Sequence, residues 1–304
     1  MDGYTHGDEP WAPLLFGELN EVPQQPDLML GAELGDFVGK YVNIKNGRRV
    51  SSTPAHIDLT VWFFGGSTMF GIGQRDDHTI PSEFMRLAAK DGVSLKVENF
   101  GVSAYVNWQE TEKFERILTV GEALPDLVVF YDGVNEIALA GQRLQIGDTD
   151  RAALRRMGLS DLERAQLRHN VGNAAEAPYE GVVDLAARQY GRGVEIGRRL
   201  ATSYGMPVVH FWQPHVDSKR PQPFDDELLR RLQLTPERVA TSGKLYDEVR
   251  ERSGANPVDL SHVFDDLKEP VLFDFAHTNE LGARVVAEAM FRELRPQLHD
   301  LADG

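Results

Sequence analysis

Five short apolar runs, at residues 59–64, 95–100, 127–132, 207–212 and 270–274, punctuate the chain from residue 56 onward. They read as largely continuous hydrophobic segments, and a strand that stays apolar on successive residues must be covered on both faces. Helices laid over both sides of a parallel sheet supply that cover, and the intervening stretches have helical character. Residues 179–204 set Val183, Ala187, Tyr190, Val194, Gly197 and Ala201 on one stripe, which Tyr204-Gly205-Met206-Pro207 ends. Thr235-Pro236-Glu237 opens a second helix with a capping hydroxyl, a proline at the first helical position and an early carboxylate. A third begins around Thr278-Asn279-Glu280 and buries Leu281, Val285, Val286, Met290 and Leu294. Strands alternating with helices predict an α/β fold, a doubly wound three-layer α/β/α sandwich on a five-stranded parallel sheet.

Residues 1–55 are rich in proline, glycine and short polar segments, with Trp11, Leu14, Leu15 and Phe16 as apolar anchors. They read as an arm laid over the main domain, with a hairpin around Asn46-Gly47. Residues 56–304 form the main domain, with charged helical insertions at about 137–178 and 215–262 that overhang the strand ends as a lid or pocket wall.

Composition narrows the function. A formal charge of −15 disfavours a nucleic-acid groove and anionic lipid surfaces. With no cysteine, thiol nucleophiles, disulfides and cysteine-ligated metals are excluded. No apolar stretch is long enough to span a bilayer, and the start Met1-Asp2-Gly3-Tyr4 lacks the marks of a signal peptide. The expectation is a soluble chain, cytoplasmic by default, with a domain cut from an exported protein as the alternative. Oligomeric state is not legible.

The chemistry lies where the runs end. Ser67 follows the first run inside Gly65-Gly66-Ser67-Thr68, and Asp274-Phe275-Ala276-His277 comes about 200 residues later. A hydroxyl nucleophile needs a base, a partner to orient that base, and donors for the developing oxyanion. Ser67, His277 and Asp274 supply the first three. Gly101 in Asn99-Phe100-Gly101 and Asn135 in Asp132-Gly133-Val134-Asn135, with the Ser67 N–H, are the candidate donors. Each also has an ordinary reading alone: strand terminator, helix cap or turn residue. In sheets of this kind ligands bind beyond the carboxyl ends of the strands, where all of them fall. Other motifs fail on particular residues. Ile72-Gly73 stands where a phosphate loop needs Lys and Ser/Thr, Asp76 replaces the third glycine of a dinucleotide fingerprint, and Met69 breaks Gly-x-Ser-x-Gly. His210 and His215 read as packed or solvated histidines, and Arg48 and Arg49 as a solvated charge pair rather than an anion clamp.

In their order along residues 58–292, Gly66-Ser67-Thr68, Asn99-Phe100-Gly101, Asp132-Gly133-Val134-Asn135 and Asp274-Phe275-Ala276-His277 resemble the SGNH, or GDSL-type, hydrolases. The resemblance implies a flavodoxin-like fold and esterase, lipase, deacetylase or acyltransferase activity without a cofactor, on a small-molecule or glycan ester. It implies Ser67 as nucleophile, Asp274 and His277 completing the triad, and Gly101 and Asn135 as oxyanion donors. The nucleophile turn departs from the family's Gly-Asp-Ser-Leu, and Ala283 follows Gly282 where Asn is frequent. The expectation is a serine esterase; an acyltransferase with the same triad and an inactive binding domain of the same fold are the alternatives.

Overall fold

A computed structural model describes residues 9–304 apart from 122, 139 and 141–178. Its strands are β1 (Gln24–Asp27), β2 (Gly31–Leu34), β3 (Phe37–Val38), β4 (Asn43–Lys45), β5 (Arg48–Arg49), β6 (Leu59–Gly65), β7 (Leu95–Asn99), β8 (Leu127–Asp132), β9 (Val208–Trp212) and β10 (Val258–Asp259). The last eight form one sheet in the order β10-β9-β8-β6-β7-β5-β4-β3, and β1 and β2 make a separate hairpin. From β10 to β7 all neighbours are parallel. Numbered along the chain, those five run 2-1-3-4-5, the flavodoxin-like order, with the crevice expected where the order reverses beside β6.

The three layers follow from the alternation of side chains along buried strands. On β6, Leu59, Val61 and Phe63 point to one face and Trp62 and Phe64 to the other. The first face packs on Phe84 and Ala88 of a helix spanning Ile80–Lys90 and on Val286 and Met290 of the terminal helix Glu280–Asp303. The second packs on Phe114 and Leu118 of α4, as we label the helix Asn107–Thr119, and on Ala201 of the long helix Tyr179–Ser203. Thr235 caps its helix through its side-chain oxygen, as its sequence context predicts, and Asn279 caps the terminal helix in the same way.

Two expectations are corrected. The fifth parallel strand is not 270–274 but Val258–Asp259, inside the stretch read as an insertion. Residues 270–274 are apolar because Val271, Leu272 and Phe273 are buried as a loop, paired only through a Leu272–Thr278 bridge. Second, β7 is not uniformly buried: its residues alternate between buried and half-buried. The remainder of 215–262 includes helices Asp225–Arg231 and Pro236–Arg252, and Tyr246 and Val249 of the latter pack under the long helix 179–203. The other insertion lies almost wholly outside the described residues.

The N-terminal segment adds strands to the sheet. β4 and β5 turn at Asn46 (φ 52°) and Gly47 (φ 69°), both left-handed as a two-residue hairpin of this twist requires, and β5 pairs antiparallel with β7. Arg49 is 1% exposed rather than solvated. It bonds Asp76 Oδ1 at 2.5 Å and the carbonyls of Phe70, Gly71 and Gln74, the loop just past Ser67. Arg48 is also not simply solvated, since it pairs with Glu98 and lies over the Phe100 ring. Among the described residues no helix is long and apolar enough to cross a membrane.

Candidate active site

Ser67 is the first residue of a one-turn helix, Ser67–Phe70, that β6 feeds through Gly65 and Gly66. Gly66 has to lack a side chain, because a Cβ there would run into Asn135 Nδ2 and come within 3.3 Å of the Tyr105 carbonyl. The serine is therefore seated against two neighbouring segments, the loop 101–106 after β7 and the start of a helical segment at 133–136 after β8.

His277 arrives from the far end of the chain. Its Nε2 lies 2.7 Å from Ser67 Oγ and its Nδ1 2.7 Å from Asp274 Oδ2. The other Asp274 oxygen accepts the backbone N–H groups of Ala276 (3.0 Å) and His277 (2.8 Å), so the loop folds around its own carboxylate. Burial pushes Asp274 up, but the bond and charge of His277 and these two N–H donors outweigh it and hold the group below its ordinary value. An ionised Asp274 fixes the His277 proton on Nδ1 and leaves Nε2 to accept from Ser67. Phe273 stacks on the imidazole at 5.8 Å and 17°, fixing the ring plane.

Asn135 lies beside Ser67 and His277, its Nδ2 donating one hydrogen to the Tyr105 carbonyl at 2.8 Å, which leaves the amide a second hydrogen. Gly101 does not join it. Its N–H is taken by Asn99 Oδ1 at 2.9 Å, and a Cβ at this residue would strike the backbone of Met69 (2.8 Å from its carbonyl carbon) and Phe70. Gly101 is a close-packing glycine beneath the nucleophile helix. The exposed part of its loop is Ala104, left-handed at φ 65°, one residue before the carbonyl that binds Asn135. A left-handed alanine carries no sequence motif of its own.

A cavity of about 250 Å³ opens beside Ser67 and His277, with Val134, Leu232, Phe275 and Ala276 as apolar lining and Thr68, Asn135 and Gln213 as polar lining. Leu232 belongs to the segment expected to form a pocket wall. Thr68 Oγ1 donates to Gln213 Oε1 at 3.1 Å, anchoring the floor. His210 and His215 are buried as packed histidines and neither lines this cavity, though the His215 ring lies 5.1 Å from that of Phe275.

No family model and no curated protein matches the chain. Solved structures do. An acetyl xylan esterase is similar with a TM-score of 0.47 at 15% identity over 78% of this chain and 100% of that one. A putative lipolytic protein of the G-D-S-L family from Desulfitobacterium hafniense gives 0.43 at 12% over 77% and 98%. An acetylxylan esterase from Geobacillus stearothermophilus gives 0.44 at 14% over 78% and 94%.

Proposed function

We propose that this chain is a serine hydrolase of carboxylic esters, of the SGNH type its motifs resemble. The observation that carries the reading is the unbroken hydrogen-bonded line Ser67 Oγ–His277–Asp274, with 2.7 Å at both links, opening on a cavity. Ser67 Oγ attacks the acyl carbon while His277 Nε2 takes its proton, and Asp274 stabilises the imidazolium. The oxyanion is met by the Ser67 N–H, the free hydrogen of Asn135 Nδ2, and the N–H of exposed Ala104 in place of Gly101. His277 then protonates the departing alcohol, and water attacking the acyl-enzyme through the same base frees the acid and restores Ser67. The small apolar cavity suits a short acyl group, such as an O-acetyl on a carbohydrate or small molecule.

The test is a p-nitrophenyl ester series on the wild type and Ser67→Ala, with fluorophosphonate labelling. Expected are turnover favouring short acyl chains, its loss in the variant, and label on Ser67. Undiminished hydrolysis by Ser67→Ala, or label at another residue, rejects the reading.

A further inference from the structure

Behind the Asn135 loop lie three buried carboxylates, Glu110 on α4, Asp132 at the end of β8 and Glu136 just beyond it, respectively 1%, 3% and 5% exposed. Carboxylates so close repel unless protons or donors separate them. The donors are unevenly shared. Glu136 accepts two backbone N–H bonds, Oε1 from Asn107 at 2.8 Å and Oε2 from Gly133 at 2.9 Å. Asp132 Oδ2 accepts the Asn107 side-chain amide at 2.8 Å. Neither oxygen of Glu110 meets a donor among the described residues, and burial together with the facing Asp132 pushes Glu110 well up. Of the three, Glu110 is therefore strongly favoured as the neutral acid, facing Asp132. Burial raises Glu136 as well, but an N–H on each oxygen works against that rise, so of the three it is the one most favoured as a carboxylate.

Its two donors belong to different segments of the chain, the bend after β8 and the start of the helix after the 101–106 loop. Gly133 lies two residues before Asn135, and Asn107 lies three residues after Ala104 at the first position of α4, where a negative charge is favoured. Asn135 joins the same two segments at the cavity through the Tyr105 carbonyl. We propose that Glu136 is the positioning residue of the oxyanion site, its carboxylate closing the start of the helical segment that presents Asn135 and clasping it to the end of the loop that presents Ala104, and so setting the gap between the two donors. This rests on the esterase reading above. Glu136 touches no substrate; it acts through the two segments.

The test is Glu136→Gln, which keeps shape and one acceptor but turns an N–H₂ toward the second amide and opens that side of the clasp. Donors displaced by about 1 Å lose on the order of 100-fold, so kcat on p-nitrophenyl acetate is expected to fall at least about 30-fold with KM within about threefold of wild type. Rates are taken per folded molecule, counted by near-UV circular dichroism. Unchanged kcat, or a rise in KM with kcat held, overturns the proposal. Should Glu136→Gln not fold, Glu136→Asp, which retains the charge but is too short to span both amides, must show the same split. If the wild type turns over no ester, the hydrolase reading falls on its own. The clasp is then judged by hydrogen exchange: faster exchange at residues 104–107 and 133–135 in the variant supports it, and unchanged exchange overturns it.

Discussion

His210 lies on β9, 1% exposed, stacked on Phe130 at 4.6 Å, with neither ring nitrogen hydrogen-bonded among the described residues. Burial lowers it from 6.5 to about 3, so the folded protein holds it neutral while the unfolded chain protonates it. Because the folded value lies below the unfolded one, the stability tied to the neutral ring is fully present above about pH 6.5 and drains away as the pH falls toward 3. Going from pH 7 to pH 5 crosses about 1.5 units of that window, which at 1.36 kcal/mol per unit is about 2 kcal/mol. His210→Phe keeps the stack on Phe130 and removes the titration. Urea unfolding of both proteins at the two pH values reads the effect, the variant losing about 2 kcal/mol less than wild type on acidification. The comparison must be between proteins. Buried acids such as Asp217, raised by burial to about 6, titrate in both and push the opposite way, and His215, lowered to about 3, adds a loss that both share. Equal losses in the two proteins would refute the argument.

Four further substitutions test the site and the packing beneath it. Asn135→Ala should lower kcat on the order of 100-fold or more with KM nearly unchanged, read by steady-state ester hydrolysis; full activity would remove Asn135 from the oxyanion site. Gly101→Ala should destabilise by about 1–3 kcal/mol, because its Cβ has no room above the Met69–Phe70 backbone. Ala104→Gly should cost little stability, since relief of about 1 kcal/mol of left-handed strain offsets the added chain entropy; thermal melts showing the reverse order would exchange the two roles. Arg49→Met strands Asp76 and unties the loop after Ser67, and should cost about 3–5 kcal/mol in chemical denaturation. A loss below about 1 kcal/mol would mean that the buried pair merely breaks even.

Much of the sandwich was legible because β6 and β8 are apolar on both faces and the helices carry explicit caps at Thr235 and Asn279. The fifth strand was missed for a physical reason. Val258–Asp259 is too short for any periodicity, whereas residues 270–274 are buried without a ladder, and hydrophobicity reports burial rather than pairing. At the site, Ser67, Asn135, Asp274 and His277 announce themselves by residue type. Ala104, the donor proposed in place of Gly101, does not, because what marks it is a backbone angle. Arg49 beside Arg48 looks like any surface pair until the hairpin at Asn46-Gly47 folds one inward and leaves the other stacked on Phe100. The partners of Glu136 are hidden for the same reason, being the main-chain amides of Gly133 and Asn107.

The way β5 closes against β7 gives the first fifty residues an unexpected hold on the rest. Trimming them would bare a rung of unsatisfied main-chain groups beside Asn99, a template on which a second copy could add itself edge to edge. The same cut would withdraw the guanidinium from beneath the turn that carries Ser67, so an abridged protein would meet self-association and a loosened nucleophile together.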